Sequence, residues 1–382
     1  MNRKHRVLVL EGGHPATVTY YQGTSGVPAS VRGQGGLGNF WHGVIPTSRS
    51  TAWPGHDDTQ FATLFDRYYP HARIRDKLGL PFLFVPHTPI RPRTEWKRLV
   101  AEKSGTLVLM PGVARRINAA AKGMTVEADG IMHRATHVWC CAGAIGTPAL
   151  MEASFGAGFA RRTADDHVIG YLGIKRNAEP DDPVRPSVER VRGGMWLPSM
   201  PVADARSLLT FRPARFDFAT LDAGFAKRAV FGLPARQLLA RLFSGPSPGL
   251  VSEALFNKFG LFARACHFSA YTQTLVADAY GLDPATGSLS ARSDVIRAAM
   301  DHARLSLVIE GLTPSERPDL FLPGIHLHHT IDARALEAAG LTGDRAALVI
   351  ADASVLSNIG PEHHSFRMMA AAFGKAELVS GA

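Results

Sequence analysis

The stretch Ala347-Leu-Val-Ile-Ala-Asp-Ala-Ser354, followed by His363-His364 and the mostly apolar run from Phe366 to Phe373, decides the fold. The three apolar residues before the acid predict a strand buried on both faces, and the chain then turns at Asp352. The later apolar run contains small residues and predicts a helix whose backbone can approach a ligand closely. Strand, acidic turn, paired imidazoles and helix together predict one edge of a ligand-binding α/β domain.

A second strand-like run lies near the N-terminus, His5-Arg-Val-Leu-Val-Leu-Glu11-Gly-Gly13. Its apolar residues also predict a parallel strand that is buried on both faces. In dinucleotide-binding folds an acid at the end of such a strand accepts hydrogen bonds from the adenosine ribose. Glu11 is therefore the candidate ribose-binding acid, with Gly12 beside it.

Composition limits the classes of protein that remain. The chain has 382 residues, 46% apolar and 20% charged, which excludes global disorder. Three cysteines cannot form a disulfide framework, so we expect a reducing, cytoplasmic compartment. The net charge of +9 is spread along the chain with acids between the basic residues, so we expect no nucleic-acid partner. No apolar run reaches roughly 18 residues, so we expect no membrane span.

The middle of the chain alternates between elements. Residues 105–117 and 124–132 predict a small β-meander. The segment His137-Val-Trp-Cys-Cys141 predicts a strand, and Ala142-Gly-Ala-Ile-Gly146 predicts a turn. Thr147-Pro148 then predicts a helix start, because threonine suits the cap and proline the first helical position. From about residue 165 to residue 322 the pattern is less periodic and predicts an α+β domain.

Several of these segments resemble the glucose-methanol-choline (GMC) family of flavin-dependent alcohol oxidoreductases. Ala347–Ser354 resembles the C-terminal end of that family, and Cys141-Ala-Gly-Ala-Ile-Gly-Thr-Pro-Ala-Leu150 resembles its second signature. Gly35-Gly-Leu-Gly-Asn-Phe-Trp-His42-Gly resembles its flavin-contacting loop, and His326-Leu-His-His-Thr330 resembles its segment with the catalytic histidine. Leu107–Ile117 is similar to its strand that holds the adenine through a valine, here Val113.

The resemblance implies an α/β fold with a discontinuous Rossmann-like FAD-binding domain and an inserted α+β substrate domain of antiparallel sheet plus helices. We assign 1–47, 100–164 and 340–382 to the first domain, and 48–99 and 165–339 to the second. The implied activity is oxidation of a small-molecule alcohol, such as a sugar, a cyclitol or another secondary alcohol, by hydride transfer to N5 of FAD. Some relatives attach the flavin to a histidine where this chain has Phe40, so the FAD is predicted to be non-covalent, although His42 could overturn this.

The resemblance assigns the base role to His326 and gives His363 the task of holding the substrate oxygen. Histidine suits both roles because its pKa lies near working pH. His329 stands where the family has glycine, so His328 or His329 could be the base instead. The implied cofactor contacts are Glu11, Gly12, Gly36, Asn39, Trp41, His42, Val113, Ala142, Gly143, Ala144, Asp352, Ala353 and His364.

The number of imidazoles makes a metal site an alternative. In His326-Leu-His328 a strand would place two rings on one face, and Asp352 or Glu362 could complete a coordination sphere. No Cys-x-x-Cys or His-Glu-x-x-His motif accompanies them. We therefore expect no metal.

One part of the family pattern has no counterpart, the Gly-rich turn that cradles the diphosphate before the ribose acid. Gly33-Gln-Gly-Gly-Leu-Gly38 has the spacing of the Gly-x-Gly-x-x-Gly dinucleotide-binding motif, but the sequence before it does not predict a buried strand. Three explanations stay open: a truncated reading frame, a partner chain that completes the sheet, or a remnant without flavin binding. The alternative function is thus a non-catalytic or partner-dependent subunit of a split flavoprotein with an incomplete FAD site, and a homo-oligomer is equally open.

Overall fold

The computed structural model describes residues 6–12, 16–19, 26–30, 35, 36, 38, 43–47, 58–102, 107–176, 188–202, 206–214, 267–309, 311–314, 321–324, 326–343, 346–357 and 359–380. Its strands are β1 Val7–Glu11, β2 Ala16–Thr19, β3 Gly26–Ser30, β4 Ile45–Pro46, β5 Phe82–Pro86, β6 Leu107–Pro111, β7 Ala114–Ala119, β8 Met124–Ala128, β9 Ile131–Ala135, β10 Val138–Cys140, β11 Thr163–Arg176, β12 Glu189–Val191, β13 Gly194–Pro201, β14 Ser207–Ala214, β15 His267–Asp283, β16 Ser288–Ala291, β17 Leu312–Pro314, β18 Phe321–Pro323 and β19 Leu348–Ile350. Its α-helices are α1 Asp58–Tyr68, α2 Pro92–Glu102, α3 Gly143–Phe155, α4 Ser293–Leu305, α5 Ala333–Ala338 and α6 Ser365–Ser380.

The largest sheet is antiparallel and, within the described ranges, contains ten strands. Its path is β17-β11-β15-β14-β13-β5-β4, with β12, β16 and β18 pairing beside it. The two longest strands, β11 and β15, pair from Thr163↔Gly281 to Arg176↔His267. Helix α4 packs on this sheet through Ile296 and Met300. The predicted α/β fold class with an antiparallel sheet plus helices is confirmed.

Two pairs of parallel strands form the Rossmann-like part. β1 pairs with β6 in the register Val7↔Leu107 to Glu11↔Pro111. β10 pairs with β19 in the register Val138↔Leu348 to Cys140↔Ile350. In the described part of the chain no ladder joins the two pairs. The meander β7-β8-β9, which was also predicted, follows β6 directly.

The two parallel pairs differ in burial. In β19, Leu348 and Ile350 are 1% and 3% exposed, so the predicted buried strand is confirmed there. In β1, Val7 and Leu8 are 46% and 40% exposed, so the prediction that this strand is buried on both faces is wrong. The physical reason is that β6 is the only neighbour of β1 in the ladders of the described residues, and nothing covers these two side chains fully.

An aromatic core fixes the start of α6 against the large sheet. Phe61, Phe65, Phe84, Trp196 and Phe366 are each at most 1% exposed. The rings of Phe61 and Phe366 meet edge to face at 5.2 Å between centroids, a geometry that aromatic pairs favour. This packing positions the residues just before α6. Among the described helices, none is both long and apolar enough to cross a bilayer.

Candidate active site

The carboxylate of Asp352 joins the C-terminal turn to the start of α3. Its Oδ2 accepts hydrogen bonds from the N–H of Gly143 at 2.9 Å and from the hydroxyl of Thr147 at 2.5 Å. Its Oδ1 accepts from the N–H and the hydroxyl of Ser354, at 2.9 and 2.6 Å. The first two bonds hold together segments that are about 200 residues apart in the sequence, and the other two fix the turn itself.

Helix α3 begins at Gly143, so the predicted start at Thr147-Pro148 is wrong. The acceptor at this helix end is the distant carboxylate of Asp352, and Thr147 donates to the same carboxylate. Pro148 therefore lies inside the helix, where it has no N–H to donate. Gly143 has φ +79° and no atom within 4 Å of the place that a Cβ would take. The backbone at Gly143 thus borders open space.

The carboxyl ends of β1 and β6 bring Glu11, Gly12 and Val113 together. The N–H of Gly112 donates to the carbonyl of Glu11 at 3.1 Å. A Cβ on Gly12 would lie 2.5 Å from the carbonyl oxygen of Gly112 and 2.7 Å from Val113, so this close approach requires glycine. The N–H of Val113 donates to the carboxylate of Asp129 at 3.3 Å. The residues predicted to contact the adenosine therefore lie at one edge of the parallel pair.

Six histidines from three segments of the chain converge. They are His167 in β11, His326, His328 and His329 ahead of α5, and His363 and His364 ahead of α6. The ring centroids of His326 and His363 lie 5.3 Å apart, and those of His326 and His364 lie 5.4 Å apart. The structure therefore brings the predicted base and its predicted partner side by side.

Two buried acids hold the histidine segments in place. Asp166 Oδ1 accepts hydrogen bonds from the N–H groups of His326 at 2.7 Å and His167 at 2.8 Å. Asp165 Oδ2 lies 2.9 Å from Nδ1 of His329. Burial alone would raise the pKa of Asp165, but hydrogen bonds from His329 and the N–H of Asp278 lower this pKa below its ordinary value. Asp165 therefore stays ionised and orients the His329 ring.

Three of the six histidines are almost fully buried. His167 and His328 are 0% exposed and His364 is 4% exposed. Burial lowers the pKa of His167 to about 3 and that of His328 to about 4, and it takes the pKa of His364 well below 6.5. These three rings are neutral at pH 7. The interior position of His328 argues against it as the base that contacts a substrate, and His329 is committed to Asp165.

Four other candidate residues belong to the glycine-rich loop that was predicted to contact the flavin. Gly36 lies in a short turn in which the N–H of Gly38 donates to the carbonyl of Gly35 at 2.9 Å. Asn39, Trp41 and His42 lie outside the described residues. Sequence reasoning missed Asp165, Asp166 and His167, which are buried polar residues within β11. Three consecutive polar residues within β11 are the signal that could have found them.

Comparisons with known proteins give a likeness of fold. No protein-family model matches the sequence, and no curated protein matches it. A solved structure of formate oxidase from Aspergillus oryzae, an arginine-to-lysine variant, aligns with a TM-score of 0.51 at 13% identity, over 98% of this chain and 94% of that chain. Pyridoxine 4-oxidase from Mesorbium loti aligns at 0.42 and 12% identity, over 78% of this chain and 64% of that one. A fungal aryl-alcohol oxidase aligns at 0.42 and 13%, over 89% and 73%.

This chain therefore has the fold of the formate oxidase, and the fold that the sequence resemblance implied is confirmed. It spans about two thirds of the length of the pyridoxine 4-oxidase that it matches.

Proposed function

We propose that this protein is an FAD-dependent oxidoreductase that oxidises a small-molecule alcohol, with His326 as the general base and His363 as the group that holds the substrate oxygen. The observation that carries the proposal is the 5.3 Å separation between these two imidazole centroids. The two residues lie in separate segments of the chain, and folding brings them together. The fold likeness to formate oxidase supports the same reading.

The residues present fit the two ends of an FAD molecule. Glu11 and Val113 lie at the carboxyl ends of parallel strands, where such sheets bind nucleotides. Gly143 leaves open space beside Ala142 and Ala144 at the start of α3. Ala353 follows Asp352, whose carboxylate accepts the hydrogen bond from the N–H of Gly143, and the ring of His364 lies 5.4 Å from that of His326. Glu11 would hold the ribose and Ala142–Ala144 would border the flavin; when bound, FAD supplies the hydride acceptor.

The mechanism that we propose for the chain's own residues is proton transfer. An imidazole nitrogen of His326 accepts the proton of the substrate hydroxyl, which is the role that a positioned histidine performs best near neutral pH. The His363 ring orients the substrate oxygen. Asp166 fixes the backbone of His326 by accepting its N–H, and the Tyr280 hydroxyl donates to the same carboxylate at 3.3 Å.

The purified protein tests this proposal. We expect it to carry FAD, shown by its visible absorption and by release of intact FAD on acid precipitation, as non-covalent binding requires. Sugars and cyclitols are then screened for anaerobic bleaching of the flavin. With an active alcohol, His326→Gln should slow bleaching by roughly 100-fold or more while FAD content stays the same. The control is His137→Ala, at an exposed histidine that is not one of the six converging histidines.

Two results would count against the proposal. One is a His326→Gln variant that bleaches at the wild-type rate. The other is a folded protein that takes up no FAD even when FAD is added in excess.

A second candidate function is a partner-dependent subunit of a split flavoprotein. The observation that favours it is the exposure of Val7, Leu8 and Val108 on the β1–β6 pair, at 46%, 40% and 47%. Parallel strands are normally covered on both faces. Under this alternative the purified chain is folded and colourless, whereas the first candidate predicts about one FAD per chain.

A further inference from the structure

We propose that His167, His328 and His364 form a binding site for a divalent late transition metal of the zinc class. This site shares one histidine cluster with the proposed flavin chemistry, because the His364 ring lies 5.4 Å from that of His326, but metal binding there does not require FAD. One ring nitrogen from each of the three residues lies within 4.8 Å of the others. The ring centroids of His167 and His328 lie 5.2 Å apart, as do those of His328 and His364.

The hydrogen bonds of two of these rings leave a lone pair for a metal. Nε2 of His167 lies 2.9 Å from the carbonyl oxygen of Gly360, and a carbonyl can only accept, so this nitrogen carries the proton. Nδ1 of His328 lies 2.7 Å from the carbonyl oxygen of His326 and is protonated for the same reason. Metal-binding histidines show this arrangement, with one ring nitrogen donating to a carbonyl and the other facing the ion.

The nitrogens that remain are buried without a partner. Nδ1 of His167, Nε2 of His328 and Nδ1 of His364 have almost no solvent contact and no hydrogen-bond partner. A buried polar atom without a partner costs about 1–3 kcal/mol. Imidazole nitrogens of this kind, on three residues that each place one ring nitrogen within 4.8 Å of the others, are donors that zinc and its neighbours prefer.

The charges around the cluster also suit a cation. Asp165 Oδ2 lies 4.0 Å from Nε2 of His328 and offsets part of the charge of a bound ion. Arg161, whose charge acts on His328, is held by Asp165 at 3.8 Å and by Asp278 at 2.9 Å. Arg161 is thus already balanced by two carboxylates.

Binding requires a small contraction of the site. Bonds of about 2.0–2.1 Å to zinc in a tetrahedral arrangement place ligand nitrogens roughly 3.4 Å apart. The present spread of up to 4.8 Å must shrink, and the rings of His167 and His328, now only 26° from parallel, must turn to face one point. Such turning is a rotation of the side chains. The bound ion would tie β11, the segment before α5 and the start of α6, and so hold His326 and His363 in place.

The test uses Zn²⁺ and Co²⁺ on the full chain after treatment with a chelator. We expect one Zn²⁺ per chain by calorimetry, with Kd below about 1 μM, and a rise in Tm with added Zn²⁺. Co²⁺ should give intense visible bands typical of a low-coordinate nitrogen site. His328→Gln and His364→Gln should each weaken Zn²⁺ binding by at least about 100-fold, whereas the control His137→Ala should bind as the wild type does.

X-ray absorption on the zinc-loaded wild type tests the site without any variant, so it still applies if a variant at a buried histidine fails to fold. It should show three imidazole ligands at about 2.0–2.1 Å. The proposal is overturned if the wild type binds no Zn²⁺ at 100 μM, a concentration about 100-fold above the expected Kd. It is also overturned if folded His328→Gln protein retains full affinity, or if absorption shows fewer than three imidazoles. FAD content is measured on the same samples, so failure of the metal site and of the flavin proposal are distinguishable.

Discussion

At the scale of single residues, the carboxylate of Asp352 determines how two distant parts of the chain meet. Each of its oxygens accepts two hydrogen bonds, one oxygen from α3 and the other from the turn at Ser354. An ordinary helix cap uses one oxygen from the residue beside the helix. Asp332 at the start of α5 is of this ordinary kind, since its Oδ1 accepts from the N–H groups of Arg334 and Ala335. Asp332 is therefore a suitable control for a substitution at Asp352.

We predict that Asp352→Asn lowers the free energy of unfolding by about 2–3 kcal/mol, because one carboxylate oxygen becomes an NH₂ that faces donors. The matched control Asp332→Asn should change it by less than about 0.5 kcal/mol, since asparagine caps a helix as well as aspartate does. Denaturation in urea measures both. Equal losses in the two variants would show that Asp352 acts only as a local cap.

The thiol of Cys140 gives a prediction about pH. Burial, with a smaller contribution from the charge of Asp352, raises the pKa of Cys140 to about 12. In a Cys141→Ser, Cys266→Ser background, we expect the native thiol to react with iodoacetamide at pH 8.5 roughly 1000-fold more slowly than the same thiol in urea, where the pKa is about 8.5. Mass spectrometry of the labelled protein follows the rate.

The raised pKa of Cys140 also determines how the free energy of unfolding changes with pH. The folded state keeps the Cys140 proton more tightly than the unfolded state, so its contribution to stability is complete below about pH 8.5 and is lost as pH rises toward 12. Native protein that reacts at the unfolded rate would contradict the buried position of this side chain.

At the scale of elements, the close approach of β1 and β6 at their carboxyl ends depends on glycine. We predict that Gly12→Ala destabilises the fold by about 1–3 kcal/mol, because a Cβ would lie 2.5 Å from the carbonyl oxygen of Gly112. At Gly112 the Cβ would meet a flexible group, Asp129 Oδ2, at 3.3 Å, so Gly112→Ala is the control and should cost less. Thermal unfolding monitored by circular dichroism compares them. If Gly12→Ala unfolds at the same temperature as the wild type, this glycine is not needed for packing.

The same elements show how far sequence alone could go. The apolar runs at 7–11 and 348–350 predicted β1 and β19, because a continuous apolar run is a local signal. The start of α3 was mispredicted because its acceptor, Asp352, lies 209 residues from Gly143 in the sequence. No local pattern carries that information. Long amphipathic strands such as β11 were recognised only as part of an α+β region.

Some residues of the candidate site could also be predicted from the sequence, and others could not. His326 and His363 were found through their resemblance to a known motif, and the structure brings them within 5.3 Å. His167 was missed because it approaches His328 through β11 pairing, and its neighbours in sequence give no metal motif. Burial of His328 likewise depends on the whole sheet. The roles of these residues stay predictions for the experiments above.

At the scale of the whole molecule, the two parallel pairs of strands are separate sheets, while the large antiparallel sheet is continuous in the described ranges. The β1–β6 pair exposes Val7, Leu8 and Val108, all between 40% and 47%. Among the described residues, β1 and β6 each pair only with the other, and a short sheet of this kind with exposed apolar side chains is a template for pairing with another strand. We infer that this surface is where the chain associates with further polypeptide.

We therefore predict that the purified chain self-associates as its concentration rises and that Leu8→Lys reduces this association at least several-fold. A lysine on an edge strand opposes pairing because its charge would be buried in the contact. Leu305→Lys is the control, since Leu305 is 86% exposed at the end of α4 and lies outside the parallel strands. Sedimentation velocity across a concentration series measures the effect. If Leu8→Lys and Leu305→Lys sediment alike, association does not use β1, and the exposed residues of this pair are simply solvated.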